Sequence, residues 1–400
     1  MSVTYPKGFR AAGVTAGLKP SGRPDLGLLV GDPSTTAAGL FTTNLVAAAP
    51  VRLSRARLDG AANGPRAVLV NSGQANAATG ARGDADVLAA TDAAAAALGL
   101  QPSEVVQCST GVIGEPVHME PLLAAMPMLV EGLSDHGGPE FARAITTTDT
   151  VDKQAMADAG VHRVGGCAKG VGMIAPNLAT MLVFMTTDAT VSSTDLHRLA
   201  HEQLKPRFDA LTVDACTSTN DTVLVFASGA QGADPTTPGA PWWSALEGAF
   251  AEVGESLARQ LVADGEGATH VLLVDVWGGR TEGDARVVAK AVADSPLVKT
   301  AAFGGDPNPG RILQAVGASG VSIDPSSVDI EIGDVRVVTA GVIPPAYFVD
   351  GARLAASASV AMRQAEIRIG VCLGSGPGRS RALGCDLSYE YVRINGEYTT

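Results

Sequence analysis

Short apolar runs alternate with turn residues and helical stretches along the N-terminal half of the chain. Gly27–Val30, Gly39–Thr43 and Ala67–Asn71 are β-rich and bounded by turn formers, which predicts strands. Asp84–Leu98 is alanine-rich and stops before Gly99, and Met119–Leu133 carries Pro121 in its first turn; both predict helices. Met181–Met185 is wholly apolar and predicts a buried strand, and Ser193–Leu211 predicts a helix opened by Ser193 and Thr194. The proline- and glycine-rich stretch Gly229–Pro241 is too broken for an element, which leaves a long surface loop or a domain joint. Beyond it come a long amphipathic helix (Trp243–Asp264), a strand (Val271–Val276), a helix (Asp284–Asp294) and a β-rich end, where Leu387–Ile394 alternates like a strand. Strands mixed with helices, without strict βαβ alternation, imply layered α+β architecture.

Composition narrows the class. At 46% hydrophobic and 18% charged residues, the 400-residue chain has enough apolar material for a sizeable core, which excludes disorder. Its net charge of −12 is the wrong sign for nucleic acid or an anionic membrane surface. The uncharged stretch Gly170–Thr187 is interrupted by Pro176, Asn177 and Thr180, so buried backbone is expected there rather than a membrane span. Met1–Arg10 has no apolar core of a targeting signal. Five cysteines (Cys108, Cys167, Cys216, Cys372 and Cys385) without a CxxC pair predict reduced thiols and a cytoplasmic protein.

Two motifs invite chemistry and fail on context. Gly170-Val-Gly172-Met-Ile-Ala175 has dinucleotide-binding spacing, but Pro176 and Asn177 arrive where the helix that holds a pyrophosphate should start. His197 and His201 share a helix face, yet the sequence between them lacks the glutamate of a zinc protease and no third ligand is apparent. No metal and no cofactor is expected. What remains is a set of hydroxyl-rich islands: Thr147–Thr150, Lys169–Thr180 and Thr217–Thr222, with glycine-rich Ser109–Gly111 and Asp264–Gly267. Such islands cap helices and turns in many proteins. Several in one chain, with no histidine nearby in sequence, raise the question of what activates a hydroxyl. One answer is an N-terminal threonine whose own α-amine is the base, here Thr180 freed by cleavage after Ala179.

The stretch Lys169-Gly-Val-Gly-Met-Ile-Ala-Pro-Asn-Leu-Ala-Thr180-Met-Leu, followed by Thr186-Thr-Asp-Ala189, resembles the self-cleavage motif of the ornithine acetyltransferase family, the glutamate N-acetyltransferases of arginine biosynthesis. Further blocks in order extend the resemblance over nearly the whole chain: Asn71–Gly80, Ser109–Gly114, Thr147–Thr150, Ser218–Thr222, Asp264–Thr269, Asp306–Asn308 and Asn395–Thr400. The resemblance implies an αββα sandwich followed by smaller α/β parts, divided as 1–190, 191–280 and 281–400, with mature chains 1–179 and 180–400. It implies Thr180 as nucleophile and acetyl carrier, and Thr110 with Gly111 as the oxyanion hole. Thr147, Lys169, Thr180, Glu266, Asn395 and Thr400 would line the amino-acid site. N-acetylornithine and glutamate would be the substrates of a ping-pong transfer, with acetyl-CoA as a further donor left open, in a heterotetramer of two α and two β chains. Two positions depart from the family pattern: Pro309 stands where tryptophan is frequent, and His270 where lysine is expected.

Two rival readings exist. An N-terminal-nucleophile aminopeptidase or amidase would use Thr180 identically and pass the acyl group to water. A non-catalytic amino-acid-binding protein would require damage at Thr180, Thr110 or Gly111, and none is visible. Cleavage after Ala179 divides the 40.5 kDa chain into pieces of about 18 and about 22 kDa on a denaturing gel. Thr180→Ala should leave a single uncut band, and an uncut yet fully active wild-type protein would refute the free-amine mechanism.

Overall fold

The computed structural model describes residues 2–59, 64–175, 181–232, 236–349 and 353–397. Their strands form three sheets. The first runs in the order Phe9–Val14, Leu26–Gly31, Ala67–Gln74, Val105–Val112, antiparallel except for its last, parallel pair. The second runs Thr36–Phe41, Thr222–Ala227, Leu182–Thr187, His162–Lys169, Lys153–Ala159, with Thr222–Ala227 and Leu182–Thr187 parallel.

Side-chain alternation shows how these two sheets stack. Leu182, Phe184, Leu224 and Phe226 point at the first sheet and meet Phe9, Leu29, Val68, Val70 and Val106 there. Their neighbours Val183, Met185, Val223 and Val225 point the other way, into a core shared with the helices Ser193–Leu199 and Trp243–Ala263. On the opposite outer face, the helices Gly80–Leu98, Met119–Ala124 and Met126–Glu131 pack on the first sheet through Ala90, Ala94, Leu122 and Leu129. Strands buried on both faces read as continuous apolar runs, which is why Met181–Met185 stood out in the sequence. The layering is helix, sheet, sheet, helix: an α+β fold of the αββα type.

The third sheet runs Val335–Val338, Asp329–Ile332, Glu366–Cys372, Val271–Gly279, Gly378–Cys385, Leu211–Thr212. Helices Glu282–Asp294, Pro296–Phe303, Pro309–Gly317 and Arg353–Ala361 contribute to the core along it. The segment 191–280, expected as a small domain, is distributed among these layers. Its strand Thr222–Ala227 lies inside the second sheet, its long helix covers that sheet, and its strand Val271–Gly279 belongs to the third.

Three elements differ from the sequence reading for identifiable reasons. The helix expected over Met119–Leu133 is two helices, because Pro127 lacks the N–H that would continue the first. The one expected over Ser193–Leu211 passes through a π-turn at Ala200–Leu204, just before Pro206, and ends at Phe208. The run Leu387–Ile394, expected as a strand, is a helix instead, Tyr389–Glu397, with the Ser388 hydroxyl accepting from the Glu390 N–H. Its apparent alternation conceals a four-residue spacing between Tyr391 and Asn395 that faces the cavity described below.

The two departures from the family pattern sit comfortably. Pro309 is the first residue of its helix, after the cap Asn308, where a missing N–H costs nothing. His270 donates its backbone N–H to Asp386 and places Nδ1 3.2 Å from the same carboxylate. All five cysteines are free.

Phe184 is fully buried between the sheets and meets the Phe141 ring edge-on, with centroids 5.1 Å apart. Phe184→Ala should cost about 3–5 kcal/mol, read as a lower midpoint in denaturant unfolding.

Candidate active site

A cavity of about 150 Å³ opens where strand ends of the first two sheets meet the loop before Cys216, the turn at Glu266 and the C-terminal helix. Its wall includes Thr110, Gly111, Thr147, Lys169, Glu266 and Asn395, six residues singled out from the sequence and far apart along the chain. The other three, Ala179, Thr180 and Thr400, lie outside the described residues. The described chain resumes at Met181, close to the cavity. Leu182 pairs with the cavity residue Lys169, and Met181 donates its N–H to Asp221, the neighbour of the cavity residue Asn220.

Local backbone shape explains the glycines. Gly73 and Gly111 face each other across the last pair of the first sheet, both with positive φ, 129° and 127°. A Cβ on Gly111 would lie 2.2 Å from the Gly73 carbonyl, so only glycine permits this close approach. Gly172 has a different reason: a Cβ there would come within 2.5 Å of the Glu266 carboxylate. No helix begins within Gly170–Ala175, so among the described residues the dinucleotide motif has no helix terminus to hold a phosphate. Met173 and Ala215, non-glycine residues at positive φ, flank the same cavity, so backbone strain concentrates here.

Hydrogen bonds then aim the side chains. Lys169, fully buried, donates to the hydroxyls of Thr110 at 3.1 Å and Thr147 at 2.9 Å. Glu266 accepts from the Thr148 hydroxyl at 3.1 Å and from the Asn395 amide at 2.9 Å. Asn220 ties the layers together, its amide donating to the Ala75 and Ser109 carbonyls at 2.7 and 2.8 Å. Asp214 accepts from the N–H groups of Met173 and Ile174, at 2.6 and 2.9 Å, and from the Tyr391 hydroxyl.

Beneath the wall lies an ion network not singled out in the sequence. Lys153, fully buried, bridges Asp149 at 2.6 Å and Asp264 at 2.5 Å. Asp149 also accepts from the backbone N–H groups of Thr147 and Gly170. Burial raises the Asp149 pKa, yet Lys169, Lys153 and the Gly170 N–H outweigh it and hold the carboxyl at about 2. Burial acts oppositely on Lys169, pulling its ammonium below the usual lysine value despite Asp149 and Glu266. Burial also pushes the Asp221 carboxyl well above the usual range, against the Met181 N–H and Lys169. In the sequence, Asp149, Asp264 and Asp221 fall in the polar islands Thr147–Thr150, Asp264–Gly267 and Thr217–Thr222, whereas nothing marked Lys153.

Among the described residues no cluster suits a metal ion. His197 and His201 stack on an exposed helix face. No helix among the described residues is long and apolar enough to cross a membrane.

The Asp149 carboxyl makes acid stability testable. Its folded pKa lies below the unfolded value of about 3.9, so its contribution is complete above that value and disappears as pH falls through about 2. Asp149→Asn should lose about 2–3 kcal/mol at neutral pH. The gap in Tm between the two proteins should narrow as pH drops from about 4 to about 2.

Comparison with known proteins agrees over the whole chain. The ArgJ family model matches residues 10–400. Arginine biosynthesis bifunctional protein ArgJ of Thermosynechococcus vestitus is 47% identical over 414 residues, spanning 100% of this chain and 98% of its relative. The chloroplastic ArgJ of Populus trichocarpa is 44% identical, across 100% of this chain and 84% of its own. Among solved structures, arginine biosynthesis bifunctional protein ArgJ of Bacillus halodurans superposes with a TM-score of 0.50 at 37% identity, over 54% of this chain and 98% of that one. With a family model covering almost every residue and full-length relatives at this identity, the chain belongs to the ArgJ family of arginine-biosynthesis enzymes.

Proposed function

We propose that the chain cleaves itself before Thr180 and then moves acetyl from N-acetylornithine to glutamate through an acetyl ester on the Thr180 hydroxyl. The observation that carries this reading is the charge pattern of the cavity. Lys169 and Glu266 both face it, hydrogen-bonded only to neutral groups and forming no ion pair among the described residues. A buried cation and a carboxylate with no oppositely charged group in contact match a zwitterion. Lys169 receives an α-carboxylate by charge-assisted hydrogen bonds, and Glu266 receives the ornithine ammonium. Thr147 and Asn395 hold these two groups in place, and Thr400 completes the amino-acid site.

Chemistry follows from the neighbours. Lys169 donates to the Thr110 oxygen, which leaves the Thr110 hydrogen free to point into the cavity. With the Gly111 N–H it forms the oxyanion hole, meeting negative charge as it develops on the acetyl oxygen. The α-amine of Thr180, with an ordinary pKa near 7.7–8.0, takes the hydroxyl proton as that oxygen attacks and returns it to the leaving ornithine amine. Glutamate then reverses the sequence: its amine attacks the ester and carries the acetyl away. The acyl ester conserves the group, so no cofactor is required, and acetyl-CoA would serve as a further donor by acylating the same hydroxyl.

Two further observations support processing. The Bacillus halodurans chain, nearly whole in the superposition, matches 54% of this chain, close to the share that residues 180–400 represent. The second sheet also suits a cut precursor, because Leu182–Thr187 and Thr222–Ala227 lie between Thr36–Phe41 and His162–Lys169. The mature pieces stay joined through that shared sheet, and two of each form the assembly.

Purified protein given N-acetylornithine and glutamate should produce N-acetylglutamate and ornithine. Acetate released without dependence on glutamate would point to an amidase instead. Thr110→Ala, which keeps the Gly111 N–H, should lower kcat by about 10²–10³ with little change in Tm. A large loss of stability with unchanged kcat would make Thr110 a structural residue.

A further inference from the structure

Asp221 is fully buried, does not line the cavity, and has no ion-pair partner among the described residues. Its Oδ1 accepts the Met181 N–H at 3.0 Å, while its Oδ2 makes no close hydrogen bond among the described residues and the Ser218 N–H is the other backbone donor directed at the carboxyl. The next residue completes the grip: the Thr222 N–H donates to the Met181 carbonyl at 3.1 Å. Asp221 is itself pinned, its carbonyl accepting the Thr42 N–H from the neighbouring strand at 2.9 Å. Both backbone polar groups of Met181 are therefore held by one dipeptide of a central strand. Met181 is the described residue that follows position 180 in the chain, so this grip acts on the immediate neighbour of the proposed nucleophile.

We propose that Asp221 is the positioning residue for the chemistry at Thr180, holding the Met181 peptide with one carboxyl oxygen and acting in its neutral, protonated form. The inference rests on the reading of Thr180 as the self-cleaving nucleophile. Burial is the physical reason for neutrality: an ionised carboxylate here would lack a contacting cation, and the carboxyl is pushed well above its usual range. Neutrality has a consequence for the reaction. On the Thr180 reading the freed α-amine belongs to the residue bonded to Met181; an ionised carboxylate would favour the protonated form of such an amine and take the base away near neutral pH, whereas a neutral carboxyl does not. In the cleavage itself, the Thr180 hydroxyl adds to the Ala179 carbonyl carbon, the carbon–nitrogen bond breaks, and the hydroxyl proton ends on the released amine. Water then splits the ester, giving the Ala179 carboxyl and restoring the hydroxyl. Asp221 gains and loses nothing; its part is alignment, and small misplacements of a reacting group have large kinetic effects.

Asparagine keeps an oxygen for the Met181 N–H at the same size and without charge, and alanine does not. In a time course of freshly synthesised full-length chain, Asp221→Ala should slow cleavage by roughly 10–100-fold, the range expected for a lost buried hydrogen bond. Asp221→Asn should recover most of that loss. KM for N-acetylornithine in the cleaved enzyme should be unmoved, since Asp221 does not line the cavity, while kcat falls in the alanine variant. Infrared difference spectra of the wild-type protein and Asp221→Asn at neutral pH should show a protonated-carboxyl band only in the former. Cleavage of Asp221→Ala at the wild-type rate, a folded but uncut Asp221→Asn, or absence of the band would each overturn the inference. If the alanine variant fails to fold, the asparagine variant and the band still decide it. A wild-type chain that stays uncut overturns the Thr180 reading as well, whereas normal wild-type cleavage with unaffected Asp221 variants sinks only this one.

Discussion

The Asp149 carboxylate is the constraint on which the arrangement of the cavity depends. It sits in the interior and binds the Lys153 ammonium, the Thr147 N–H and the Gly170 N–H at once. Through Lys153 it reaches Asp264, which in turn accepts from the Thr150 N–H. The turn at Thr147–Thr150, the end of the strand carrying Lys169 and the segment leading to Glu266 are thereby held to one point. Burying a charge is costly unless its hydrogen-bonding capacity is filled. Here every bond that fills it also orients a segment of the cavity wall, so the cost is offset by geometry the site needs.

The sheets supply the rigidity against which that network works. Loops that carry strained backbone, such as those at Met173 and Ala215, stay in place only when their surroundings over-determine them. Asn220 does this between the layers, reaching from the second sheet to carbonyls at the end of the first. The paired glycines at 73 and 111 do it within the first sheet, letting two strand ends close to a distance no side chain would allow. Chemistry carried at the ends of packed strands gains precision from the cores below.

Much of this was legible in the sequence, for reasons that differ between fold and site. Strands buried on both faces, such as Leu182–Thr187 and Leu26–Gly31, declare themselves as apolar runs. Thr222–Ala227 is equally buried but follows a hydroxyl-rich block, and its membership of the second sheet depends on partners that are distant in sequence. The C-terminal helix was misread because a short, half-exposed helix buries no full stripe and its residues alternate by chance. At the site, Thr110, Gly111, Thr147, Lys169, Glu266 and Asn395 were identified through motif resemblance. Lys153 and Asp221 were not, because a lysine or aspartate in sequence gives no sign of whether it will be buried. Burial is a property of the assembled layers, and it is burial that turns these two side chains from surface charges into constraints.

The distribution of charge around the cavity follows the same logic. Lys153 bridges Asp149 and Asp264 below the wall, so both carboxylates have a contacting cation other than Lys169, which acts on Asp149 only from beyond contact distance. Lys169 is left to hydroxyls, and a hydroxyl can hold an ammonium in position without cancelling its charge. Glu266 is treated likewise, oriented by a hydroxyl and an amide that leave its negative charge intact. Had Lys169 paired directly with Glu266, each would have satisfied the other and the cavity would present no unpaired charge to a ligand. Removing Lys153 from this arrangement would leave Asp149 and Asp264 to draw on Lys169, collapsing the separation of charge on which recognition of a zwitterion depends.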